Sequence, residues 1–214
     1  MARRIHLQPI GVEDWLALSN DEGVTSRMKA DPYSVAYGSL LPHFDKLSAV
    51  TWDDAVVGLH IVYGWMPTIP RLAGIMQWDQ KRKTLLAATL TGAITGKGPT
   101  DAELGGLMAF SNNSMIGASK ILHFLNPSRL PIWDSRVAKS FFNRPKVYDQ
   151  QVNKVEKWKS YQATLIGWLS DQRVTSRCSE LKRLAGHLAG VTDLRLVELV
   201  LFHKTASKRK AKKA

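Results

Sequence analysis

Two residues of opposite charge, Lys120 and Asp134, have the side chains that lysine-dependent covalent chemistry requires. Lys120 lies in the apolar run Met115–Leu125, and Asp134 directly precedes the run 135–142. An apolar setting disfavours the charged form of a lysine, and the neutral amine is the nucleophile that forms Schiff bases. A neighbouring carboxylate can accept a proton and stabilise positive charge that develops on a substrate. The pair is therefore a candidate nucleophile with an acid–base partner.

The segment between these two residues has the length needed to bring them together. Asn126-Pro127 ends the Lys120 helix, because proline lacks a backbone donor and restricts the residue before it. Residues 126–133 can extend over about 26 Å, whereas an eleven-residue helix is about 17 Å long. Asp134 can therefore begin the next helix close to the start of the first. The alternative from spacing alone is an ordinary N-cap aspartate and a surface lysine.

Helical periodicity dominates the sequence around the pair. Thr51 and Thr100 each begin a segment with an N-capping pattern, and apolar residues then recur at helical spacing. The predicted helices cover 52–63, 83–94, a short segment after Thr100, 115–125, 135–142, 152–169, 179–188 and 194–203. Residues 71–78 are ambiguous, and the first 50 residues are less regular, as expected for short helices with loops. The pattern predicts a mainly α fold.

Composition indicates the class of protein and its compartment. The 214 residues are enough for one large domain in one or two lobes, and we predict a helical domain over 1–204 with a disordered tail over 205–214. No run approaches the roughly 18 apolar residues of a membrane span, and we see no signal peptide. The single cysteine, Cys178, excludes an internal disulfide and a four-cysteine iron–sulfur cluster. We therefore expect a cytoplasmic protein with no membrane partner, and with no metal or cofactor, because the histidines lack metal-ligand spacing.

The charge of the chain favours a polyanionic partner. The formal net charge is +12. Residues 204–214 contain six lysine or arginine residues and no acid, so the remaining body still carries +6. Basic surfaces of this kind bind nucleic acid through charge neutralisation and counterion release. In a bacterial host, this charge predicts association with the nucleoid.

The residues around the pair resemble the helix–hairpin–helix DNA glycosylase superfamily, especially its 8-oxoguanine DNA glycosylase-like branch. The run IGASK at 116–120 is similar to the hairpin and lysine of that family, and PIWDSRV at 131–137 to the segment that carries its aspartate. The local match covers about thirty residues. The chain departs from the pattern in having one hairpin glycine, Gly117, and a lysine–aspartate interval of 14 residues, which is shorter than usual.

The resemblance implies a helix–hairpin–helix glycosylase-like fold and excision of a damaged or modified base from double-stranded DNA. Asp134 would stabilise positive charge on the sugar, and Lys120 would form a Schiff base that leads to strand cleavage by a lyase step. An extruded base needs a pocket, for which we predict walls or a wedge from Trp133, Phe141 and His123. The predicted ligands of the DNA backbone are Asn112, Asn113, Ser114, Gly117, Ser119 and Arg136. The biological role would be DNA repair or defence against modified foreign DNA.

Two other functions fit parts of the sequence. A non-catalytic DNA-binding module of the same fold would explain the incomplete hairpin, whereas Lys120 with Asp134 favours an enzyme. A helical interaction domain whose basic tail alone touches nucleic acid is the third possibility, and the charge of the body argues against it. The sequence does not determine the oligomeric state, for which we expect a monomer.

Overall fold

Most of the longer helices begin at a residue whose side chain caps the first turn. An oxygen of each capping side chain accepts a hydrogen bond from a backbone N–H group that has no partner within the helix. The capping residues are Asp21, Asp31, Thr51, Asp79, Thr100, Ser114, Asp134 and Asp171. Local sequence therefore sets where these helices start.

The structure, a computed structural model, describes residues 8–65 and 68–204 and is mainly helical. The α-helices are α1 Val12–Ser19, α2 Glu22–Lys29, α3 Pro32–Asp45, α4 Trp52–Trp65, α5 Leu72–Ile75, α6 Gln80–Ile94, α7 Asp101–Phe110, α8 Met115–Leu125, α9 Ser135–Phe141, α10 Asp149–Val152, α11 Val155–Trp168, α12 Gln172–Lys182 and α13 Asp193–Lys204. A 3₁₀ helix covers Gly186–Leu188, and the described residues contain no β-strand. The predicted mainly α class is confirmed. The predicted tail, 205–214, lies outside the described residues.

Three predicted helices have wrong boundaries. The helix predicted at 83–94 begins earlier, at Gln80 after the Asp79 cap. The segment 152–169 is not one helix, because it is interrupted between Val152 and Val155. There the Asn153 side chain accepts a hydrogen bond from the Met115 N–H at 2.6 Å and donates to Asn113 O at 2.8 Å. The helix predicted at 179–188 begins earlier, at Gln172 after the Asp171 cap, and ends at Lys182.

Helix α13 is the centre of the fold. It packs against α1, α2, α9, α11 and α12, and every residue from 194 to 201 is buried. A helix that is apolar on all sides belongs in a core. Two of these buried residues are nevertheless charged, Arg195 and Glu198. Nearly all buried apolar side chains of the described residues form one cluster, to which α13 contributes. No described helix is long and apolar enough to span a membrane.

Candidate active site

The connection between α8 and α9 runs back along α8 and is fixed by hydrogen bonds. Trp133 N–H donates to Ser119 Oγ at 3.0 Å, and Ile132 N–H donates to a carboxylate oxygen of Glu198 at 2.7 Å. His123 Nδ1 lies 2.7 Å from Leu130 O. These contacts hold the backbone immediately before Asp134 against two buried helices.

Asp134 begins α9 and uses one carboxylate oxygen to do so. Its Oδ1 accepts hydrogen bonds from the N–H groups of Arg136 and Val137, each at 2.8 Å. Its backbone is extended, with φ −147° and ψ 176°. The side chain is half-buried and lines a cavity. The structure therefore gives Asp134 a capping role and also places its carboxylate beside the cavity that Lys120 lines.

The cavity has a volume of about 330 Å³ and combines charged residues with apolar walls. Its charged lining residues are Asp31, Lys120, Asp134, Arg136, Arg195 and Glu198. Its apolar and aromatic lining residues are Tyr33, Trp65, Ile116, Ile132 and Phe202. They come from α3, α4, α8, α9, α13 and the α8–α9 connection. The geometry thus brings Lys120 and Asp134 to one cavity, as the length of the connection between them predicts.

Lys120 is the amine of this cavity and has a weakened affinity for its proton. The pKa of Lys120 is lowered to about 8, chiefly by burial. The negative charge of Asp134 raises this pKa, and the positive charges of Arg195 and Arg136 lower it. The Lys120 Nζ atom lies 5.5 Å from the centroid of the Trp65 ring. A neutral fraction of the amine therefore exists near neutral pH.

Arg195 and Glu198 form a buried ion pair that sequence reasoning missed. Arg195 is 5% exposed and Glu198 is 0% exposed. Arg195 Nη1 donates to Glu198 Oε1, while Arg195 Nε has no hydrogen-bond partner in the described part of the chain. Burial lowers the pKa of Arg195 against the opposing effect of nearby Tyr37 and Asp31. The sequence did contain a signal for this pair, because the otherwise apolar run at 194–202 has two opposite charges three residues apart.

A family model places the chain among known sequences. Residues 78–205 match the family described as a family of unknown function (DUF6308), and the match covers more than half of the chain. This protein belongs to that family. The family segment contains Lys120, Asp134, Arg195 and Glu198, whereas α1 to α5 precede it. No curated protein and no solved structure matches the chain.

Within this member of the family, the three residues predicted for a base pocket do not line the cavity. Trp133 and Phe141 are fully buried and contact each other edge to face, 6.3 Å between ring centroids. The Trp133 indole N–H donates to Val152 O at 2.7 Å. His123 is also fully buried, and its Nε2 lies 2.8 Å from Tyr37 Oη. A wall or wedge role is therefore a wrong interpretation for these side chains, whose surfaces and polar groups are used in the core.

His123 is held neutral by the same surroundings. Burial lowers the pKa of His123 well below its usual value, and Arg195 lowers it further. Because Nδ1 faces the Leu130 carbonyl oxygen, it carries the proton, and Nε2 accepts from the Tyr37 hydroxyl. This histidine is a structural link between α3, α8 and the α8–α9 connection.

Several residues predicted to bind the DNA backbone have structural roles. Gly117 is buried, and its N–H donates to the capping oxygen of Ser114 at 3.2 Å. Ser119 is fully buried, where its hydroxyl bonds the Trp133 backbone. The Asn112 side chain bridges Ile69 O and Arg71 N. The Gly117 N–H group and the side chains of Ser114, Ser119 and Asn112 therefore already have partners within the protein, and their contacts with DNA stay a prediction.

Two predicted DNA ligands remain accessible. Arg136 is exposed at the rim of the cavity, with its guanidinium 4.9 Å from the centroid of the Phe202 ring. Asn113 is exposed in the turn between α7 and α8, where both Asn112 and Asn113 have left-handed backbones, with φ 59° and φ 55°. Both positions are therefore open to solvent.

A larger groove of about 570 Å³ lies between α5, α6 and α7. Arg71, Trp78 and Arg82 line it together with the small residues Gly105 and Gly106. It has no lysine, and its one carboxylate, Glu103, is engaged with the N–H of Thr100 at 2.7 Å. The 330 Å³ cavity therefore remains the better candidate for covalent chemistry, although it is the smaller of the two.

Proposed function

We propose that this protein is a DNA glycosylase with lyase activity, in which Lys120 is the nucleophile and Asp134 its electrostatic and acid–base partner. The observation that carries the proposal is the convergence of both side chains on one cavity, where the Lys120 amine has a pKa of about 8. Near pH 7, about a tenth of such an amine is neutral and able to attack. An ordinary surface lysine has a far smaller neutral fraction.

The shape and lining of the cavity support an extruded base as the group bound. Its volume of about 330 Å³ is at the lower end for ligand sites and suits one planar ring system. Trp65, Tyr33 and Phe202 offer aromatic surfaces, and Ile116 and Ile132 offer apolar ones. A base that has left the DNA stack needs such surfaces to replace its former neighbours.

The reaction can be written with the residues present. The bond between the base and the sugar C1′ breaks with its electron pair on the base, and positive charge develops on the sugar beside Asp134. The Lys120 nitrogen bonds to C1′, and its excess proton passes to Asp134 or to the departing base. The C1′–O4′ bond then breaks as O4′ takes the proton held by Asp134, which leaves a Schiff base between Lys120 and C1′. The released base or Asp134 accepts the C2′ proton, and the electron pair of that C–H bond forms the C2′–C3′ double bond, expels the 3′ phosphate and nicks the strand.

DNA as the substrate is supported by the basic charge of the segment that carries Asp134. Residues 129–159 contain eight lysine or arginine residues and three acids. Five of these cations are exposed, namely Arg129, Arg136, Arg144, Lys146 and Lys154. The arrangement of α7, a tight turn and α8 with Lys120 supports the helix–hairpin–helix resemblance, although the hairpin side chains are mostly engaged within the protein.

Borohydride trapping on duplexes that carry single damaged or modified bases tests the proposal. We expect a covalent protein–DNA adduct and strand nicking with at least one lesion, and neither with Lys120→Gln. Asp134→Asn should slow base removal by about 10²–10⁴-fold, the range for one positioned acid–base or electrostatic group. Lys83→Gln is the matched control, because Lys83 is also half-buried, 5.1 Å from the centroid of the Trp52 ring, but lies outside the cavity.

The outcomes separate the functions that the sequence leaves open. Base removal that persists in Lys120→Gln without nicking would mean that the enzyme activates water and has no lyase step. Full activity in both Lys120→Gln and Asp134→Asn would overturn the site. Tight DNA binding with no product on any lesion would identify a non-catalytic DNA-binding module.

A further inference from the structure

Two positively charged side chains lie over the ring of Trp65. Lys120 Nζ lies 5.5 Å from the ring centroid, and Arg195 Cζ lies 5.6 Å from it. The indole is itself held in place, because its N–H donates to Tyr33 O at 3.1 Å. Both cations line the same cavity. Two like charges that share one ring disfavour each other, and lysine is the one that can lose its proton at accessible pH.

Arg195 cannot relieve this repulsion by moving away. It is buried on α13, it donates to Glu198, and its guanidinium also lies 5.2 Å from the centroid of the Tyr37 ring. Glu198 is in turn fixed, because it accepts the Ile132 N–H at 2.7 Å. The Arg195 guanidinium is therefore held in place, and through Glu198 it is linked to the connection that leads to Asp134.

The other charged groups around the cavity do not replace Arg195. Asp134 attracts the ammonium form of Lys120, so its effect on the pKa of Lys120 is opposite to that of Arg195. Arg136, like Arg195, lowers the pKa of Lys120, but Arg136 is exposed and solvent screens its charge. Asp31 lies 3.4 Å from His203, and Glu198 is the direct partner of Arg195. Among the titratable residues that line the described cavity, Tyr33 is the remaining one, and it is exposed.

We propose that Arg195 is a positioning residue that keeps a fraction of Lys120 in its neutral, nucleophilic form by holding a second positive charge against the same indole ring. This inference rests on the proposed role of Lys120 as the nucleophile. Arg195 does not touch the reacting atoms in this role. It acts on the proton of Lys120, and Glu198 holds it in place.

The direct test measures Lys120 in the intact protein without DNA. Lysine labelled with ¹³C at Cε is followed by NMR as pH changes, and the Lys120 signal is assigned by its absence in Lys120→Gln. Arg195→Met should raise the pKa of Lys120 by about 1. Arg195→Lys should keep most of the wild-type behaviour because it retains a charge. Glu198→Gln should move the pKa of Lys120 in the opposite direction, downward, because it leaves Arg195 uncompensated.

A double variant keeps the test decisive if Arg195→Met does not fold. Breaking a buried pair strands the remaining charge, whereas removing both charges costs less. Glu198→Gln and the double variant Arg195→Met/Glu198→Gln differ only in the side chain and charge at residue 195. The pKa of Lys120 should be higher in the double variant. Equal values in these two proteins would overturn the proposal.

Activity measurements separate this inference from the proposed function. On a DNA that the wild type cleaves, the acid limb of the pH–rate profile should move upward with the pKa of Lys120, and the rate should recover at high pH. A purely structural role for Arg195 would lower the rate at every pH. If the pKa moves but no DNA is ever processed, the glycosylase proposal fails and the effect of Arg195 stands. If trapping depends on Lys120 but the pKa does not move, only the inference about Arg195 fails.

Discussion

The surroundings of Lys120 disfavour its charged form, and the proposed nucleophilic role depends on that effect. Burial removes water from the ammonium group, and Arg195 adds repulsion, while Asp134 offsets part of both. A side chain that holds its proton weakly in the folded state must also destabilise that state while the proton is bound. Reactivity and stability are therefore expected to oppose each other at this residue.

Lys120→Met should stabilise the protein at neutral pH. The pKa of Lys120 is about 8 when folded and has an ordinary value of 10.5, so the unfolded chain binds more protons between these values and stability rises with pH there. The penalty is complete below pH 8 and absent above about pH 10.5. After allowance for partial exposure, we expect a gain of about 1–3 kcal/mol at pH 7, or several degrees in Tm.

Thermal unfolding at pH 7 and pH 10.5 checks this prediction. The gain from Lys120→Met should be present at pH 7 and nearly gone at pH 10.5. Lys83→Met is the control for losing a half-buried lysine next to a tryptophan ring. An equal gain at both pH values would indicate better packing of methionine and not relief of a charge penalty.

At the scale of elements, α8 is positioned by close packing at its first turn. A Cβ atom on Gly117 would lie 2.6 Å from Tyr63 Oη and 3.0 Å from Ser111 Cβ. Tyr63 Oη also donates to Ser111 O at 2.9 Å, which links α4 to the end of α7. Gly117 therefore lets α4, α7 and α8 approach each other, and this spacing sets the position of Lys120 three residues later.

Gly117→Ala should lower the free energy of unfolding by about 1–3 kcal/mol, because the added methyl group forces Tyr63 or the Ser111 backbone to move. Gly105→Ala in α7 is the matched control, since no atom lies within 4 Å of its Cβ position. That substitution should stabilise by up to about 1 kcal/mol through helix propensity. Urea denaturation of both variants measures the difference. A neutral Gly117→Ala would show that the first turn of α8 can shift freely.

At the scale of the whole molecule, the cavity depends on parts of the chain that are distant in sequence. Trp65 and Tyr33 come from α4 and α3, before the family segment that begins at residue 78. Lys120 and Arg195 come from within it. Residues that precede the family segment thus complete the cavity. The basic charge is also distributed, with half of the net excess in 204–214 and half in the body.

DNA binding should weaken steeply with salt, and deletion of residues 205–214 should flatten that dependence without abolishing binding. The deleted segment contains five lysine or arginine residues, so the slope of log K against log salt should become shallower by up to about 4. Fluorescence anisotropy with a labelled duplex at several salt concentrations measures both proteins. Complete loss of binding would show that the tail alone contacts DNA.

The sequence by itself predicted what depends on local signals. Capping residues and apolar periodicity are read within a few positions, and so the mainly α class and the starts of α4, α7, α8, α9 and α13 followed from them. The approach of Asp134 to Lys120 was also predictable, because Asn126-Pro127 ends α8 and the connection is long enough to return along it. These arguments need only chain geometry.

The tertiary structure alone decided which side of each element faces the core. Trp133 and Asp134 are neighbours in extended backbone, where successive side chains point to opposite sides. Packing against Phe141 and Tyr161 directs the indole inward, which leaves the carboxylate beside the cavity. In the same way, Arg195 and Glu198 line the same cavity as Lys120 only because α13 is buried at the centre of the fold. Such contacts join residues far apart in sequence, so no local pattern of residue types could predict them.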